Sequence, residues 1–229
     1  MNNECGLRSV FQKGRWLFLI MLIFLGLSVL WEQVIYQQNY TSNDIQFFQD
    51  RFLKKEQQLK DKMAMVAERA VEIEDTSLFC CVTDEVYNLL ESEGISLFVY
   101  RNDSLQFWSD YEIPVPVDAR AFPENKLVRL GNSVYYGLDT TVQEHEIRGL
   151  LMLKTDYPYE NQYLKDYWYK DFAFTPDVEV LVPQQKFGEK IFNQKGRHVF
   201  SINAENALKE DPVNFCISLS LYFLALVFL

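Results

Sequence analysis

Two unbroken apolar runs lie at the ends of the chain and frame a long middle part in which apolar and polar residues alternate. The first run extends from Trp16 to Trp31 and would form a helix of about 24 Å, close to the roughly 30 Å of a bilayer core. The second run extends from Phe215 to Leu229 and contains no charged residue. These runs predict transmembrane helices at residues 16–35 and 213–229, the second of them incomplete.

Basic residues indicate how the first helix is oriented. Arg8, Lys13 and Arg15 precede it, which favours a cytoplasmic tail at residues 1–15 and an extracytoplasmic domain at residues 36–212. A cleaved signal peptide is the alternative, but no small-residue cleavage site follows the apolar run. We therefore predict an uncleaved anchor and a chain that enters the membrane twice.

A long amphipathic helix is predicted directly after the first run, because residues 43–75 contain neither Gly nor Pro. Apolar residues recur in it every seven positions, at Ile45, Phe52, Leu59, Val66 and Ile73. This stripe is either a dimer seam or a surface that packs on the domain's own sheet. We expect these five residues to be buried, and Lys54, Lys55 and Gln58 to be exposed.

Beyond a second helix, predicted at about residues 83–92 and ended by Gly94, the pattern changes to a period of two. Alternation and turn residues predict strands at 95–100, 104–110, 126–130, 132–143 and 146–156, and a final hairpin at 189–203. The segment 159–172 has aromatic residues at helical spacing and is predicted to be a helix. The fold class is α+β: a long N-terminal helix plus a PAS-like antiparallel sheet, flanked by two transmembrane helices.

Charge and motifs exclude several classes of function. The chain has 22 Lys and Arg against 32 Asp and Glu, a formal net charge of −10. Such an acidic chain argues against nucleic acid as a partner, which needs a basic surface. The sequence has no phosphate-binding loop, nucleophile elbow, dinucleotide fingerprint or metal-type spacing, and only two His. We predict neither catalysis nor a cofactor or metal site within this chain.

Aromatic strand residues are the best candidates for a ligand site. Trp108 and Tyr136 each belong to an aromatic pair within a strand, and Arg148 is a single charge in an otherwise apolar strand. Aromatic walls with few polar groups are typical of small-molecule pockets, and Arg148 could pair with an anionic ligand. The alternatives are core packing for the aromatic residues and, for Arg148, an outward position paired with Glu or Asp.

Three stretches carry a family resemblance: "ISLFVYRNDSLQFWSDYEIPVP", "NSVYYGLDTTVQEHEIRGLLMLKTDYPYENQYL" and "IFNQKGRHVFSI". With their surroundings, over roughly residues 10–229, they resemble the N-terminal sensor regions of membrane histidine kinases from Bacteroidetes-type bacteria. The resemblance implies the input region of a two-component system in the bacterial inner membrane. It further implies a homodimer, contact with membrane lipid, and an unknown periplasmic ligand or partner.

The resemblance also sets limits on this chain. The family places a phosphoacceptor His and an ATP-binding domain after the second membrane helix, and no motif for either is present. We therefore expect a fragment or an early stop, without kinase activity of its own. The alternative function is a membrane-anchored periplasmic binding or scaffold protein without enzymatic output.

Overall fold

The computed structural model describes residues 16, 18–31, 40–72, 86, 88–121, 126–159, 161–183, 185, 187–205, 207 and 212–227. The chain divides into two compact units. One unit is Thr41–Ala207, and the other combines the two chain ends, Met1–Tyr40 and Leu208–Leu229. Each unit is described separately below.

The unit of the chain ends contains two apolar helices, α1 (residues 18–31) and α4 (Pro212–Val227). Helix α4 carries the free and exposed Cys216. Within the described ranges, no helix combines the length and the hydrophobicity that a membrane crossing requires. Residues 32–35 of the first predicted span lie outside the described residues.

The α+β unit begins with the predicted long helix, α2 (Ser42–Glu72). Its start is fixed by a capping arrangement in which the backbone N–H and the hydroxyl of Thr41 donate to Asp44 Oδ2, at 2.9 and 2.8 Å. The next helix, α3 (Leu89–Glu93), is shorter than predicted, since Val86 and Asn88 lie in turns. Gly94 ends it with a φ of 72°, as the sequence predicted.

Six strands form an antiparallel sheet in the order β2-β1-β5-β4-β3, with β6 beside β5. The strands are β1 (Ile95–Arg101), β2 (Ser104–Trp108), β3 (Leu127–Leu130), β4 (Ser133–Val142), β5 (His145–Thr155) and β6 (Tyr167–Trp168). Local turn chemistry sets the first hairpin, because Asn102 and Asp103 both adopt positive φ angles, of 51° and 64°. The predicted α+β class with an antiparallel sheet is confirmed.

A second, three-stranded sheet has the order β7-β9-β8. Its strands are β7 (Glu179–Leu181), β8 (Glu189–Phe192) and β9 (His198–Asn203). The hairpin of β8 and β9 was predicted, and Gly196 occupies its turn with a φ of 68°. Strand β7 was not predicted, because it is only three residues long and pairs with a strand about twenty residues later.

The helix predicted at residues 159–172 is wrong for the described residues of that segment. Trp168 and Tyr167 form strand β6, paired with Lys154 and Thr155 of β5. Upstream, the Asn161 side chain accepts hydrogen bonds from the backbone N–H groups of Tyr163 and Leu164, which makes a turn. The described aromatic residues of this segment therefore lie in strand β6 and in the turns around it, and they do not form one face of a helix.

Helix α2 lies across one face of the main sheet, which we call the helix face. A Cβ atom at Gly149 would lie 2.6 Å from both Leu59 Cδ1 and Met63 Sδ, so only glycine permits this close approach. The predicted stripe is used here, because Phe52, Leu59 and Val66 are fully buried. The stripe therefore packs on the domain's own sheet, which was one of the two predicted uses.

The remaining expectations for α2 had mixed outcomes. Lys54 is exposed as predicted, and Ile45 is only half-buried. Gln58 is half-buried, and Lys55 is buried, so the prediction that both are exposed is wrong. Ile73 lies outside the described residues.

The opposite face of the sheet, which we call the loop face, lies beneath the Pro-rich connection after β2. The hydroxyl of Tyr100, a loop-face residue, donates to the carbonyl of Pro116 at 2.7 Å. The backbone N–H of Leu105 donates to the carbonyl of Val117 at 2.9 Å. The two faces of one sheet are thus covered by different structures, a helix and a connection.

Candidate ligand-binding site

The three residues predicted to bind a ligand lie on opposite faces of the sheet. Trp108 pairs with Phe98, and Phe98 pairs with Arg148 on the next strand, so Trp108 and Arg148 share the loop face. Tyr136 pairs with Leu151, which is three residues from Arg148, so Tyr136 points to the helix face. The predicted three-residue site is therefore split and cannot line one cavity.

Each of the three residues has its own surroundings. Tyr136 is fully buried, with its ring edge-on to Phe52 at a centroid distance of 5.0 Å. The Nε of Arg148 donates to Glu146 Oε1 at 2.6 Å, which matches the alternative of an Arg paired with an acid. Trp108 is 40% exposed, at the outer edge of the sheet.

A cavity of about 750 Å³ opens on the helix face, between α2, β4 and the turn that joins β8 to β9. We call it the helix-face cavity. Its charges are balanced, with acids Glu56, Glu68, Glu72 and Asp139 and bases Lys60, Lys126, Lys195 and Arg197. The buried carboxylate of Glu56 is saturated, since it accepts from the Tyr136 hydroxyl at 3.2 Å and from the Gln194 backbone N–H and Lys60 Nζ, both at 2.8 Å.

A second cavity, of about 700 Å³, opens on the loop face beside α3, and we call it the loop-face cavity. Strand β4 contributes Ser133 and the buried Tyr135, and strand β5 contributes the buried Met152. Ser133 is fixed to Thr155 by a hydrogen bond of 2.8 Å between their hydroxyls. The lining also includes five aromatic residues, Tyr111, Tyr157, Tyr167, Trp168 and Tyr169, although the Trp168 ring itself packs on Phe48 and Phe174.

Tyr169 belongs to the lining of the loop-face cavity, but its hydroxyl is buried and does not face the open space. Its side chain is 5% exposed, and its phenolic oxygen has no hydrogen-bond partner in the part of the chain that the structure describes. Its ring packs on Gly94, where an added Cβ would come within 2.9 Å of the ring carbons. Burial raises the pKa of Tyr169, and the carboxylates of Asp171 and Glu93 raise it further, so the phenol stays neutral.

The cavity is connected to helix α2 through Lys55. Its Nζ lies 5.3 Å from the centroid of the Tyr169 ring and 2.6 Å from the Asp171 carboxylate, and it donates to the Glu93 carbonyl at 2.8 Å. These contacts explain why a lysine is buried on a helix whose spacing predicted an exposed position. A change in the position of Tyr169 would therefore alter the contacts of Lys55 on α2.

Two acids lie near Tyr135 at the other end of the cavity. Burial raises the pKa of Tyr135, and the neighbouring Tyr167, Asp110 and Glu112 raise it further, against a lowering hydrogen bond to Ser133. Asp110 is held by its own backbone turn, because its Oδ1 accepts the N–H of Glu112 at 2.7 Å. The lining of the cavity thus combines tyrosine residues with carboxylates.

Sequence reasoning missed this site, although it singled out aromatic strand residues. The residues that line it come from α3, the connection after β2, the turn between β3 and β4, and strands β4, β5 and β6, and only long-range pairing brings them together. The density of tyrosines between Tyr157 and Tyr169 was the available signal, but it was interpreted as a helix. Among the described residues, no group of three or more His, Cys, Asp or Glu is placed to hold a metal ion.

Comparisons of the chain with protein-family models, with curated proteins and with solved structures find no match. The function therefore has to be inferred from the geometry of the chain itself.

Proposed function

We propose that the chain is the sensory input region of a membrane-bound two-component histidine kinase, with a PAS-like domain outside the cell membrane. The loop-face cavity receives the signal molecule, and helix α2 passes the change towards α1. The chain senses and transmits, and it catalyses nothing itself. The bacterial inner membrane, a cytoplasmic N-terminus and a homodimer belong to the same proposal.

The observation that carries the proposal is the distribution of side chains in the unit of the chain ends. Among the described residues of this unit, the buried ones are small, namely Ser28, Ser218 and Ala225. Large apolar side chains point outward, namely Phe18, Leu19, Ile23, Leu30, Leu219, Phe223 and Leu226. A soluble protein buries large apolar residues, whereas membrane helices pack through small residues and expose large ones to lipid.

The membrane proposal rests on this distribution and not on helix length. The 16 residues of α4 would rise about 24 Å, less than the roughly 30 Å of a bilayer core. Contiguous apolar patches of this kind are rare on soluble monomers and usually mark a surface that contacts lipid or protein. Lipid is the partner that suits two helices that are apolar on all sides.

The contacts of α2 supply a route for the signal. Helix α2 is the first element of the α+β unit and follows α1 along the chain. Through Lys55 it contacts Tyr169, a residue of the loop-face cavity. A ligand that favours one position of Tyr169 would shift the population of helix positions, and a dimer gives each helix a partner to move against.

Alkaline carbonate washing of membranes that contain the full chain tests the anchor. We expect the chain to stay in the membrane fraction, and the pair Ile23→Asp and Leu219→Asp to release it, because it places a charge at an exposed position on each of the two apolar helices. The matched control is Tyr159→Asp with Tyr163→Asp, two exposed positions in the α+β unit that receive the same charge. Release of the unaltered chain would refute the membrane proposal.

The binding or scaffold alternative predicts the same membrane retention, so a second measurement separates the two. In the sensor, occupancy of the cavity changes the exposure of α2, which hydrogen exchange of the full chain would report. In a scaffold without output, ligand protects the cavity residues and leaves α2 unchanged.

A further inference from the structure

We propose that one end of the α+β unit docks on the headgroup region of the membrane through exposed aromatic side chains. They are Phe47 on α2, Tyr159 and Tyr163 on the loop between β5 and β6, and Phe187 on the loop between β7 and β8. We call this the aromatic end. The inference rests on the membrane anchor of the proposed function, and it adds a surface of the α+β unit and its partner, the zwitterionic lipid interface.

The start of α2 and the end of β5 lie at the same end of the α+β unit. Gly149, in the middle of β5, lies against Leu59 in the second half of α2. Trp168, which pairs with β5 near its end, packs edge-on to Phe48 near the start of α2, at a centroid distance of 5.7 Å. The two elements are therefore antiparallel. The loop that follows β5 thus leaves the sheet at the end where α2 begins.

The chain also leaves the α+β unit at this end. The side chain of Gln49 hydrogen-bonds the backbone of Phe192 in β8, and further along α2 the carbonyl of Leu53 accepts from the side chain of Gln194. Strand β8 therefore runs in the same direction as α2, and its antiparallel partner β9 runs back towards the start of α2. The end of β9 and Phe187, which lies just before β8, thus belong to the aromatic end.

Four large aromatic side chains are exposed at this end. The exposed fractions are 51% for Phe47, 87% for Tyr159, 84% for Tyr163 and 57% for Phe187. Hydrogen bonds hold the loop of the two tyrosines in place, because the backbone N–H of Tyr157 donates to Asp166 Oδ1 at 2.6 Å and the side chain of Asn161 closes a turn. The tyrosines are therefore presented to the surroundings by an ordered loop.

The described residues at the opposite end of the α+β unit have a different character. The β1–β2 and β4–β5 turns present exposed polar residues, namely Asn102, Asp103, Gln143 and Glu144. An exposed apolar residue on this side is Val117, whose neighbour Asp118 bridges to Ser104 at the start of β2. We call this the polar end. Aromatic exposure concentrated at one end of a domain indicates a contact surface there.

Lipid is the partner that the aromatic end fits best. Tyrosine and phenylalanine partition into the boundary between headgroups and acyl chains, where the ring is in apolar surroundings and the phenol reaches water. Four residues, 208–211, separate Ala207 from Pro212, the first residue of α4, and a connection of this length spans at most about 18 Å. With α4 in the membrane, as proposed, the end at which the chain leaves the α+β unit is held close to the headgroups.

The charge of the chain indicates which lipid is needed. A formal net charge of −10 gives no general attraction to anionic headgroups, which bind clusters of Lys and Arg. Docking should therefore depend on the insertion of aromatic rings and should occur on zwitterionic lipid alone.

Photocrosslinking of the full chain in phosphatidylcholine nanodiscs tests the docking. p-Benzoylphenylalanine replaces Phe47, Tyr159, Tyr163 or Phe187, one position per variant, and intact-mass spectrometry after irradiation identifies the partner from the mass gained. The matched control is the same replacement of Val117, which is 72% exposed at the polar end. We expect at least about fivefold more lipid adduct at each aromatic position than at Val117.

Three results would overturn the inference. Equal yields of lipid adduct at Val117 and at the aromatic positions would show that contact with lipid is not specific to the aromatic end. Absence of lipid adducts at all four aromatic positions would show that this end does not reach the membrane. Adducts with a second copy of the chain in place of lipid would make the aromatic end a protein interface.

A further variant, with p-benzoylphenylalanine at Ile23, separates this inference from the proposed anchor, because Ile23 is exposed on α1. Lipid adducts at Ile23 without any at the aromatic end refute the docking alone. Lipid adducts at the aromatic end, with none at Ile23 and with release of the chain by carbonate, refute the anchor alone. Docking adds to the anchor and does not replace it, so charges at Tyr159 and Tyr163 should leave the chain in carbonate-washed membranes.

Discussion

The helix-face and loop-face cavities have similar volumes but differ in the charge of their linings, which is balanced in the first and acidic in the second. The helix-face cavity is lined by four acids and four bases, and the buried carboxylate of Glu56 accepts three hydrogen bonds. In the loop-face cavity the acids outnumber the one base, and the Tyr169 hydroxyl has no partner among the described residues. The lining of the first cavity is balanced in charge, and the lining of the second is acidic.

This difference indicates which cavity is a structural joint and which is a site. A saturated carboxylate between a helix, a strand and a turn holds three elements together, and it leaves nothing for a ligand to bind. A buried hydroxyl without a partner, such as that of Tyr169, reduces stability, whereas the carboxylates of Asp110 and Glu112 are in contact with water. Volume alone would not separate the two cavities, since they differ by only about 50 Å³.

The largest effect is expected at Glu56, which is 1% exposed. Glu56→Ala removes the acceptor for Tyr136, Gln194 and Lys60 at once, so the free energy of unfolding should fall by about 3 kcal/mol or more. Urea unfolding of the full chain, followed by tryptophan fluorescence, measures this. Glu56→Gln keeps one oxygen acceptor and should lose roughly half as much. If Glu56→Ala were neutral, Glu56 would not be the structural joint that the comparison requires.

The regular part of the α+β unit could be predicted because its signals are local. Asn102 and Asp103 determine the first hairpin, Gly94 ends α3, and Gly196 forms the turn of the final hairpin. Each signal acts within a few residues, so alternation on either side determines the strands. The class of the fold follows from such elements.

The functional part could not be predicted because its signals are long-range. Lys55 is polar and was expected in solvent, but it is buried by contacts to Glu93 and Asp171, residues that are distant in sequence. Tyr136 and Trp108 were grouped for their chemistry, and only the strand register shows that they face opposite sides. Alternation predicts which residues of a strand share a face, but it does not predict which of the two faces the helix covers.

Substitutions at two glycines test how closely each face of the sheet is packed. Gly149 lies beneath α2, and Gly149→Ala would press on Leu59 and Met63, at an expected cost of about 1–3 kcal/mol in unfolding free energy. Gly137 is the matched control on the neighbouring strand and the other face. An added Cβ there would meet Val128 and Leu150 at ordinary distances of 3.5 and 3.6 Å, so Gly137→Ala should change stability by less than about 1 kcal/mol. Equal costs would show that α2 does not pack as closely as its contacts indicate.

Lys55 links helix α2 to the segment around Tyr169, so its replacement should have a local effect. Lys55→Met keeps an unbranched side chain of nearly the same length but removes the bonds to Asp171, which is 38% exposed to water, and to the Glu93 carbonyl. We expect a loss of about 1–2 kcal/mol, with faster hydrogen exchange in α3 and in the segment around Tyr169. Lys54→Met, at the exposed neighbouring position, should change neither. A uniform rise in exchange across the sheet would mean that Lys55 supports the whole fold and is not a specific link to the cavity.

The smallest effect on unfolding free energy is expected at Tyr100, beneath the connection that covers the loop face, and it appears at high pH. Burial raises the pKa of Tyr100 from 10.0 to about 12, with Glu146 raising it and Arg148 opposing the shift. Because the folded pKa exceeds the ordinary value, the protonated phenol favours the folded state below pH 10, and this contribution is lost as the pH rises from 10 towards 12. Tyr100→Phe also removes the hydrogen bond to Pro116, at a cost of about 0.5–1.5 kcal/mol near neutral pH.

The variant should therefore be less stable than the parent at pH 7 and lose less stability than the parent between pH 10 and 12. Urea unfolding of the full chain at both ends of that range measures the difference, and Tyr111→Phe, at a tyrosine that is 88% exposed, is the control that should follow the parent. Parallel pH profiles for parent and Tyr100→Phe would mean that the phenol ionises as freely in the folded chain as in the unfolded one. In that case the connection after β2 would not seal the loop face, and the cavity beside it would be open to water without any ligand.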